Sequence, residues 1–341
     1  MGKIIVVNNP AAKSGGALTI LKEFLENVSS LKCDRIFIII VSVEDLKRYE
    51  SEKIKILVVN SQKFKERILW DNFKLKRFLK KKAITPDIFV SLQNTGVNID
   101  KKIYQLLYYH QPLSIIKLKW NILRKNERLY WIYKNIYPIF IKQYLNRVRK
   151  VIVQTEWVKK RFVNRFNYPE ENIILMRPII SKIDVNKINI IPREKYRIFY
   201  PAAPLIYKNH KIIIEALNLL KKEKYEVLKG IECIFTFGEE ENAELADLIK
   251  KYELEDVIKL VGRISYSRVL EYYKSSDLLV FPSYLETFGL PLVEAQYFDL
   301  DILTVDLEYS REVINEYKKV CFIKKNDVHN WKENILKKIM E

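Results

Sequence analysis

Residues 281–295 of this 341-residue chain read FPSYLETFGLPLVEA and continue the apolar run 278–281. A short, fully apolar run of this kind predicts a buried strand of a parallel sheet. A proline and a serine end the strand, Gly289 marks a loop, and residues 292–298 have helical character. The stretch therefore predicts a strand, a loop and a helix in succession, the unit from which α/β sheets are built.

Two glutamates, Glu286 and Glu294, flank this loop. Carboxylates accept hydrogen bonds from hydroxyls, so Glu286 is a candidate for binding a transferred sugar and Glu294 for binding a ribose diol. Free backbone N–H groups at a helix start favour anions, and glycine permits close approach. The residues that could approach a nucleotide diphosphate in this way are Thr287, Phe288, Gly289 and Leu290. Taken alone, each glutamate is more simply explained by solvent exposure or by the helix dipole.

The whole string resembles the signature of retaining glycosyltransferases of family 4, in which two glutamates surround a Phe-Gly-Leu-Pro core. The resemblance extends along the chain from Gly15-Gly16 to residue 314. It implies an α/β fold of the GT-B type, with two Rossmann-like, doubly wound parallel-sheet domains facing a cleft. It also implies that Glu286 contacts the donor sugar and that Glu294 contacts the ribose of a UDP- or GDP-sugar, with no other cofactor.

Apolar, β-branched runs alternate with helical patterns in both halves of the chain, the rhythm of parallel α/β sheets. Strands are predicted at residues 4–7, 35–41, 54–59, 88–91, 151–154, 197–200, 232–237, 258–260, 278–281 and 301–305. Helices are predicted at residues 18–28, 156–166, 210–224, 242–252 and 266–275. A polar, proline-marked stretch at 181–193 predicts a linker. We therefore expect an acceptor domain at 1–190 and a donor domain at 191–341, whose last helix packs back on the first domain.

Two further motifs match the resemblance at the ends of predicted strands. Gly15 and Gly16 follow the first strand without forming a Walker or dinucleotide motif. Alone they indicate a turn, whereas the family's glycine loop lies against the donor phosphates. His110 precedes Pro112, and a lone histidine is usually structural. The resemblance implies that it faces the donor sugar, to whose hydroxyl or departing phosphate an imidazole can donate.

Lys208 lies between a predicted strand and helix, where it could neutralise a diphosphate leaving group. The family places an arginine five residues earlier, and this chain has Ala203 there. We expect Arg177 or Arg263 to supply the second charge, unless the site dispenses with it. Arg263 and Ile264 also match the family's loop against the nucleotide base. The one Asp-x-Asp, 299–301, falls at a turn, and we expect no metal site.

Net charge is concentrated in the first half of the chain, which holds about 37 of the 60 basic residues up to residue 190. Residues 113–150 interleave these with aromatics, a composition typical of helices on anionic lipid. The basic residues there include Lys117, Lys119, Arg124, Lys125, Arg128, Lys134 and Lys142, and the aromatics Trp120, Tyr130, Trp131, Tyr133, Tyr137, Phe140 and Tyr144. The alternative explanation is a solvated basic face over a buried aromatic stripe, which would produce the same pattern. Nucleic acid is a less favoured partner.

Three separated cysteines, Cys33, Cys233 and Cys321, indicate reduced thiols and no disulfide framework. No run is long enough for a signal peptide or a membrane span, so we expect a cytoplasmic protein peripheral to the inner membrane face. The expected function is retaining sugar transfer to a polyprenyl-diphosphate-linked saccharide in capsule or O-antigen assembly. Two alternatives are a sugar-nucleotide epimerase or phosphorylase, and a basic lipid-binding or nucleic-acid-binding protein with a vestigial cleft.

Overall fold

The computed structural model describes residues 3–13, 15–31, 34–60, 64–178 and 183–341. They form two compact units, Met1–Arg177 and Pro178–Glu341. The predicted domain boundary, after residue 190, lies a little further along the chain. Cys33 and part of the predicted linker fall outside the described residues.

The first unit contains a seven-stranded parallel sheet in the order β3-β2-β1-β4-β5-β6-β7. Its strands are β1 (Lys3–Asn8), β2 (Arg35–Val41), β3 (Ile54–Val58), β4 (Ile88–Ser91), β5 (Tyr104–Tyr108), β6 (Val148–Val153) and β7 (Ile173–Leu175). Its helices are α1 (Gly15–Ser30), α2 (Phe64–Leu69), α3 (Leu75–Lys81), α4 (Arg128–Asn135), α5 (Tyr137–Gln143) and α6 (Glu156–Phe166). One π-helical turn, Trp70–Lys74, joins α2 to α3.

Alternate residues of the central strands supply the two cores of this unit. On one face Ile5 and Val7 pack with Leu21 and Leu25 of α1. On the other face the intervening residue Val6 packs with the group Ile38, Ile40, Trp70, Leu75, Leu79 and Phe89. Because successive side chains of a strand point to opposite faces, a sheet covered on both sides needs the nearly continuous apolar runs seen in this sequence.

The second unit contains a six-stranded parallel sheet in the order β10-β9-β8-β11-β12-β13. Its strands are β8 (Tyr196–Tyr200), β9 (Ile231–Phe235), β10 (Ile258–Leu260), β11 (Leu278–Phe281), β12 (Asp301–Val305) and β13 (Val320–Ile323). Its helices are α7 (His210–Glu223), α8 (Tyr225–Lys229), α9 (Ala243–Lys251), α10 (Tyr266–Lys274), α11 (Leu290–Tyr297), α12 (Glu308–Ile314) and α13 (Val328–Met340). The two parallel sheets confirm the predicted α/β class.

The structure adds three strands that the sequence patterns did not predict, β5, β7 and β13. It also begins α1 at Gly15, whereas the prediction began this helix at residue 18. The last helix, α13, packs against α7 within the second unit, where the Lys332 ammonium pairs with Glu223. Among the described residues, none of the helices combines the length and apolar character that a bilayer crossing requires.

Candidate functional site

An ion pair joins two of the predicted catalytic residues at the carboxyl edge of the second sheet. Lys208 follows β8 and Glu286 follows β11, and these strands are neighbours. The Lys208 Nζ atom lies 2.5 Å from Glu286 Oε1, and the two side chains are 17% and 14% exposed. A pair that is partly shielded from water interacts more strongly than a surface pair. The lysine and the carboxylate therefore meet at one edge of the sheet, and their roles toward a substrate stay a prediction.

The loop that carries Lys208 is fixed by backbone contacts on both sides. The Tyr200 hydroxyl donates to the Lys208 carbonyl at 2.6 Å. The Tyr284 amide donates to the Tyr207 carbonyl at 2.9 Å, which ties this loop to the loop of Glu286. These contacts fix the backbone of the loop, and Glu286 fixes the ammonium group, so the cation is ordered in advance.

Gly289 begins α11 in a conformation that other residues avoid. Its φ of +89° lies in the left-handed region, and an added Cβ atom would lie 3.4 Å from the side chains of Leu292 and Tyr309. The first amides of any helix lack intrahelical partners and sit at the positive end of the helix dipole. The N–H groups of Gly289 and Leu290 therefore form a second positive element, three and four residues after Glu286.

Glu294 lies inside α11 with only 8% of its surface exposed. Both of its carboxylate oxygens accept a tyrosine hydroxyl, from Tyr266 at 3.0 Å and from Tyr273 at 2.9 Å. Burial raises the pKa of this carboxyl, while the two tyrosine hydrogen bonds lower it. Each oxygen keeps a further lone pair that could accept a hydrogen bond from a ribose hydroxyl. The contact with a ribose diol stays a prediction.

Of the two arginines suggested as a second cation, Arg263 already has a carboxylate partner. Arg263 is 78% exposed, and its Nε atom donates to Glu241 at 2.6 Å. Arg177 is the last residue of the first unit. Arg263 and Ile264 lie in the loop that follows β10. Their contact with a nucleotide base stays a prediction.

Lys325 is a candidate cation that sequence reasoning missed. It follows β13 and its Nζ atom lies 4.2 Å from the centre of the Tyr284 ring, two residues before Glu286. Burial lowers its pKa, and no carboxylate of the described residues pairs with it. A half-buried ammonium held only by an aromatic ring keeps its hydrogen-bonding capacity for an anion. The signal available in the sequence was the Lys324-Lys325 pair after a short apolar run.

Three further predicted residues, Gly15, Gly16 and His110, lie in the first unit. Gly15 and Gly16 form the first turn of α1, so they are helical and not an open loop. His110 follows β5, with its ring centre 5.6 Å from that of Tyr108. Burial and the positive charge of Arg67 lower the pKa of His110 to about 4. Its imidazole is therefore neutral near pH 7.

A buried polar cluster beside β4 was also missed. The Asp71 carboxylate, in the π-helical turn, accepts hydrogen bonds from Thr95 at 2.9 Å and from Gln93 at 3.3 Å. Burial raises its pKa to about 7, although the positive charge of Arg67 opposes the change. The cluster orders the loop after β4, and no pattern in the sequence indicated it.

The aspartates of the Asp-x-Asp turn are held by lysines. Asp299 pairs with Lys319 at 2.5 Å, and Asp301 with Lys338 at 3.1 Å. Over the described residues, no three His, Cys, Asp or Glu side chains gather as metal ligands do.

The family model "Glycosyl transferases group 1" matches residues 181–340, just under half of the chain. The chain is 24% identical over 209 residues to the capsular polysaccharide biosynthesis glycosyltransferase CapH of Staphylococcus aureus. This match covers 58% of this chain and 57% of that protein. It is 23% identical over 208 residues to the O-antigen chain mannosyltransferase RfbU of Salmonella typhimurium, and this match covers 60% of this chain and 55% of that protein. The matched region therefore spans just over half the length of these relatives.

Solved glycosyltransferases share the fold along nearly the whole chain. WaaG, a glycosyltransferase involved in lipopolysaccharide biosynthesis, superposes with a TM-score of 0.72 at 14% identity, covering 99% of this chain and 90% of that one. Anabaena HepE in complex with UDP and glucose gives a TM-score of 0.66 at 15% identity, covering 99% and 89%. These likenesses confirm the predicted fold class, in which both sheets are Rossmann-like.

The left-handed backbone at Gly289 gives a prediction for stability. Replacing Gly289 by alanine should lower the free energy of unfolding by about 1–2 kcal/mol, because an L-residue pays that cost in this region. Gly230→Ala is the matched control, since its φ is −80° and an added Cβ would have the same 3.4 Å approach to a neighbour. Urea denaturation measures both. Equal losses in the two variants would show that φ is not the constraint at Gly289.

Proposed function

We propose that this protein is a retaining glycosyltransferase that moves a sugar from a nucleoside diphosphate sugar to a saccharide acceptor in the assembly of a bacterial surface polysaccharide. The ion pair of Lys208 and Glu286 beside the start of α11 is the observation that carries the proposal. The group 1 match of residues 181–340 and the relatives that build capsule and O-antigen support it. The complex of HepE with UDP and glucose supports a nucleotide sugar as donor.

The pair suits a donor that carries both phosphates and hydroxyls. A diphosphate can replace Glu286 as the counter-ion of Lys208, and the Gly289 and Leu290 amides add two donors. The released carboxylate can then accept hydrogen bonds from sugar hydroxyls. Lys208 would thus contact the diphosphate and Glu286 the sugar, the two groups joined by the bond that breaks.

In the proposed reaction, an acceptor hydroxyl attacks the anomeric carbon on the face from which the diphosphate leaves, so configuration is retained. The anomeric carbon–oxygen bond breaks, and the leaving phosphate oxygen takes the hydroxyl proton. Lys208, Lys325 and the helix amides would stabilise the charge that develops on the phosphate. We propose that these groups supply the positive charge without a divalent metal, and full turnover in EDTA would support this.

We further propose that the acceptor is linked to a polyprenyl diphosphate and that the first unit meets the cytoplasmic face of an anionic membrane. Four aliphatic side chains between 122 and 139 are exposed among the basic residues, Leu123 by 84%, Ile139 by 65%, Leu129 by 59% and Ile122 by 40%. The aromatic rings of this region are instead partly or fully buried, as in the contact of Trp120 with Tyr130. Aliphatic groups surrounded by cations favour an anionic lipid surface.

A panel of UDP- and GDP-sugars tests the function. The full-length protein is incubated with each donor, with and without membrane extract that contains lipid-linked saccharides, and nucleotide release is measured. Release that depends on the acceptor supports transfer. Conversion of the donor without acceptor would indicate an epimerase or phosphorylase, and failure to bind any donor would rule out the enzyme function.

Glu286→Gln keeps the size of the side chain and removes its charge. We expect kcat to fall about 100-fold, as for loss of one preorganised polar contact to a transition state, because Lys208 loses its positioning partner and the sugar loses a carboxylate acceptor. Glu253→Gln is the control, since Glu253 pairs with Lys221 at 2.8 Å in an exposed position. Unchanged turnover in Glu286→Gln would remove this carboxylate from the site.

Lys325→Met should raise the KM for the donor about 10-fold, because a partly desolvated contact between a cation and a phosphate contributes about 1.4 kcal/mol or more. Lys324→Met removes an equal charge from the adjacent exposed position and should leave the KM unchanged. Steady-state kinetics with the donor varied gives both values. Equal effects of the two substitutions would point to long-range charge instead of a contact.

Leu123→Ser combined with Leu129→Ser should reduce binding to vesicles of phosphatidylglycerol and phosphatidylcholine by about 10-fold or more, since each leucine loses about 1–2 kcal/mol of apolar burial. Leu31→Ser, at a leucine 51% exposed outside this surface, is the control. Co-sedimentation at low and high salt measures the binding. Unaltered binding by the double variant would contradict a lipid contact through these leucines.

A further inference from the structure

Asn94 contacts His110 at two points. Its Oδ1 atom accepts the backbone N–H of His110 at 2.6 Å. Its Nδ2 atom lies 3.5 Å from Nε2 of the imidazole. Asn94 is buried, with 8% of the residue exposed, so its contacts with His110 are largely shielded from water.

The first contact determines the chemistry of the second. Because the amide oxygen must face the backbone N–H, the amide nitrogen is the atom that faces the ring. An amide nitrogen can only donate, so Nε2 of the imidazole must accept. A neutral imidazole that accepts at Nε2 carries its proton on Nδ1. The Nδ1 atom is buried and has no hydrogen-bond partner among the described residues.

We propose that Asn94 is a positioning residue that holds neutral His110 in the Nδ1–H tautomer, so that Nδ1–H donates a hydrogen bond to an oxygen of the bound substrate. The use of this donor rests on the proposed transferase function. His110 then acts as a fixed donor and transfers no proton. The oxygen belongs either to a sugar hydroxyl or to a phosphate, which present the same acceptor chemistry.

The backbone around Asn94 is built to keep this geometry. Its φ of +64° is left-handed, a region that asparagine and aspartate tolerate better than other residues with a Cβ atom. The flanking residues Gln93 and Thr95 are both hydrogen-bonded to Asp71. The buried carboxylate therefore anchors the turn on either side of Asn94, and the turn aims the amide at the imidazole.

Asn94→Asp is the decisive variant because it preserves the left-handed backbone and one acceptor for the His110 amide. Its second carboxylate oxygen can only accept, so the neutral ring should move its proton to Nε2. The nearby negative charge should also raise the pKa of His110 from its depressed value, against the effect of Arg67. Asn94→Gly is the matched control, since it keeps the backbone geometry and removes the amide without favouring the opposite tautomer.

The tautomer is read directly from long-range ¹H–¹⁵N spectra of the full-length protein labelled with ¹⁵N-histidine. The chain has three histidines, and spectra of His110→Gln and His329→Gln assign the signals. We expect a protonated Nδ1 for His110 at neutral pH in the wild type, a protonated Nε2 in Asn94→Asp, and both forms in Asn94→Gly. A wild-type ring protonated at Nε2 would overturn the proposal.

These spectra are recorded without substrate, so the tautomer is tested even if the transferase function fails. Adding UDP and then UDP-glucose, or GDP and then GDP-mannose, shows whether the Nδ1 signal shifts with the phosphate or only with the sugar. In turnover assays we expect kcat/KM to fall about 10-fold in Asn94→Gly and further in Asn94→Asp, from loss of one hydrogen bond to the substrate. Wild-type kcat/KM in a variant whose spectrum shows the Nε2–H form would disprove the substrate contact.

Discussion

All strands of a parallel sheet end at the same edge, and this constraint brings the candidate functional groups of the second unit to that edge. Lys208, Glu286 and Lys325 follow β8, β11 and β13, which lie far apart in the sequence and close together in the sheet. Loops at this edge carry polar groups that the apolar strands cannot. The site thus depends on the order of the strands more than on any single side chain.

The same constraint explains which parts of the site could be predicted from the sequence. Glu286 and Gly289 follow an apolar run in a short motif, so local spacing alone placed them at a strand end. The partner of Lys208 and the position of Lys325 depend on which strands are neighbours, which no local pattern encodes. The strand β13 was missed because Val320–Ile323 is only four residues long and follows a lysine pair.

Burial was the property that the sequence predicted least well. Glu294 reads as a helix-start carboxylate available to a ligand, yet two tyrosines from α10 cover it. Asp71 lies in a strongly basic stretch and is buried beside Thr95. The composition of residues 120–144 left lipid-facing helices and a basic face over a buried aromatic stripe both open. In the structure these aromatics are partly or fully buried, and aliphatic residues such as Leu123 are exposed. Which face of a helix is covered depends on its neighbours, and periodicity alone does not identify them.

The ion pair between Lys208 and Glu286 also has a consequence for selectivity against common cellular anions. The lysine already has a counter-ion in this pair, so its attraction for inorganic phosphate is weakened. A ligand that offers only phosphate must displace the carboxylate and leave it partly buried without a partner, which is unfavourable. Under the proposed function, a ligand that offers phosphate and neighbouring hydroxyls together would satisfy both groups, and the pair would favour it over phosphate alone before any chemistry begins.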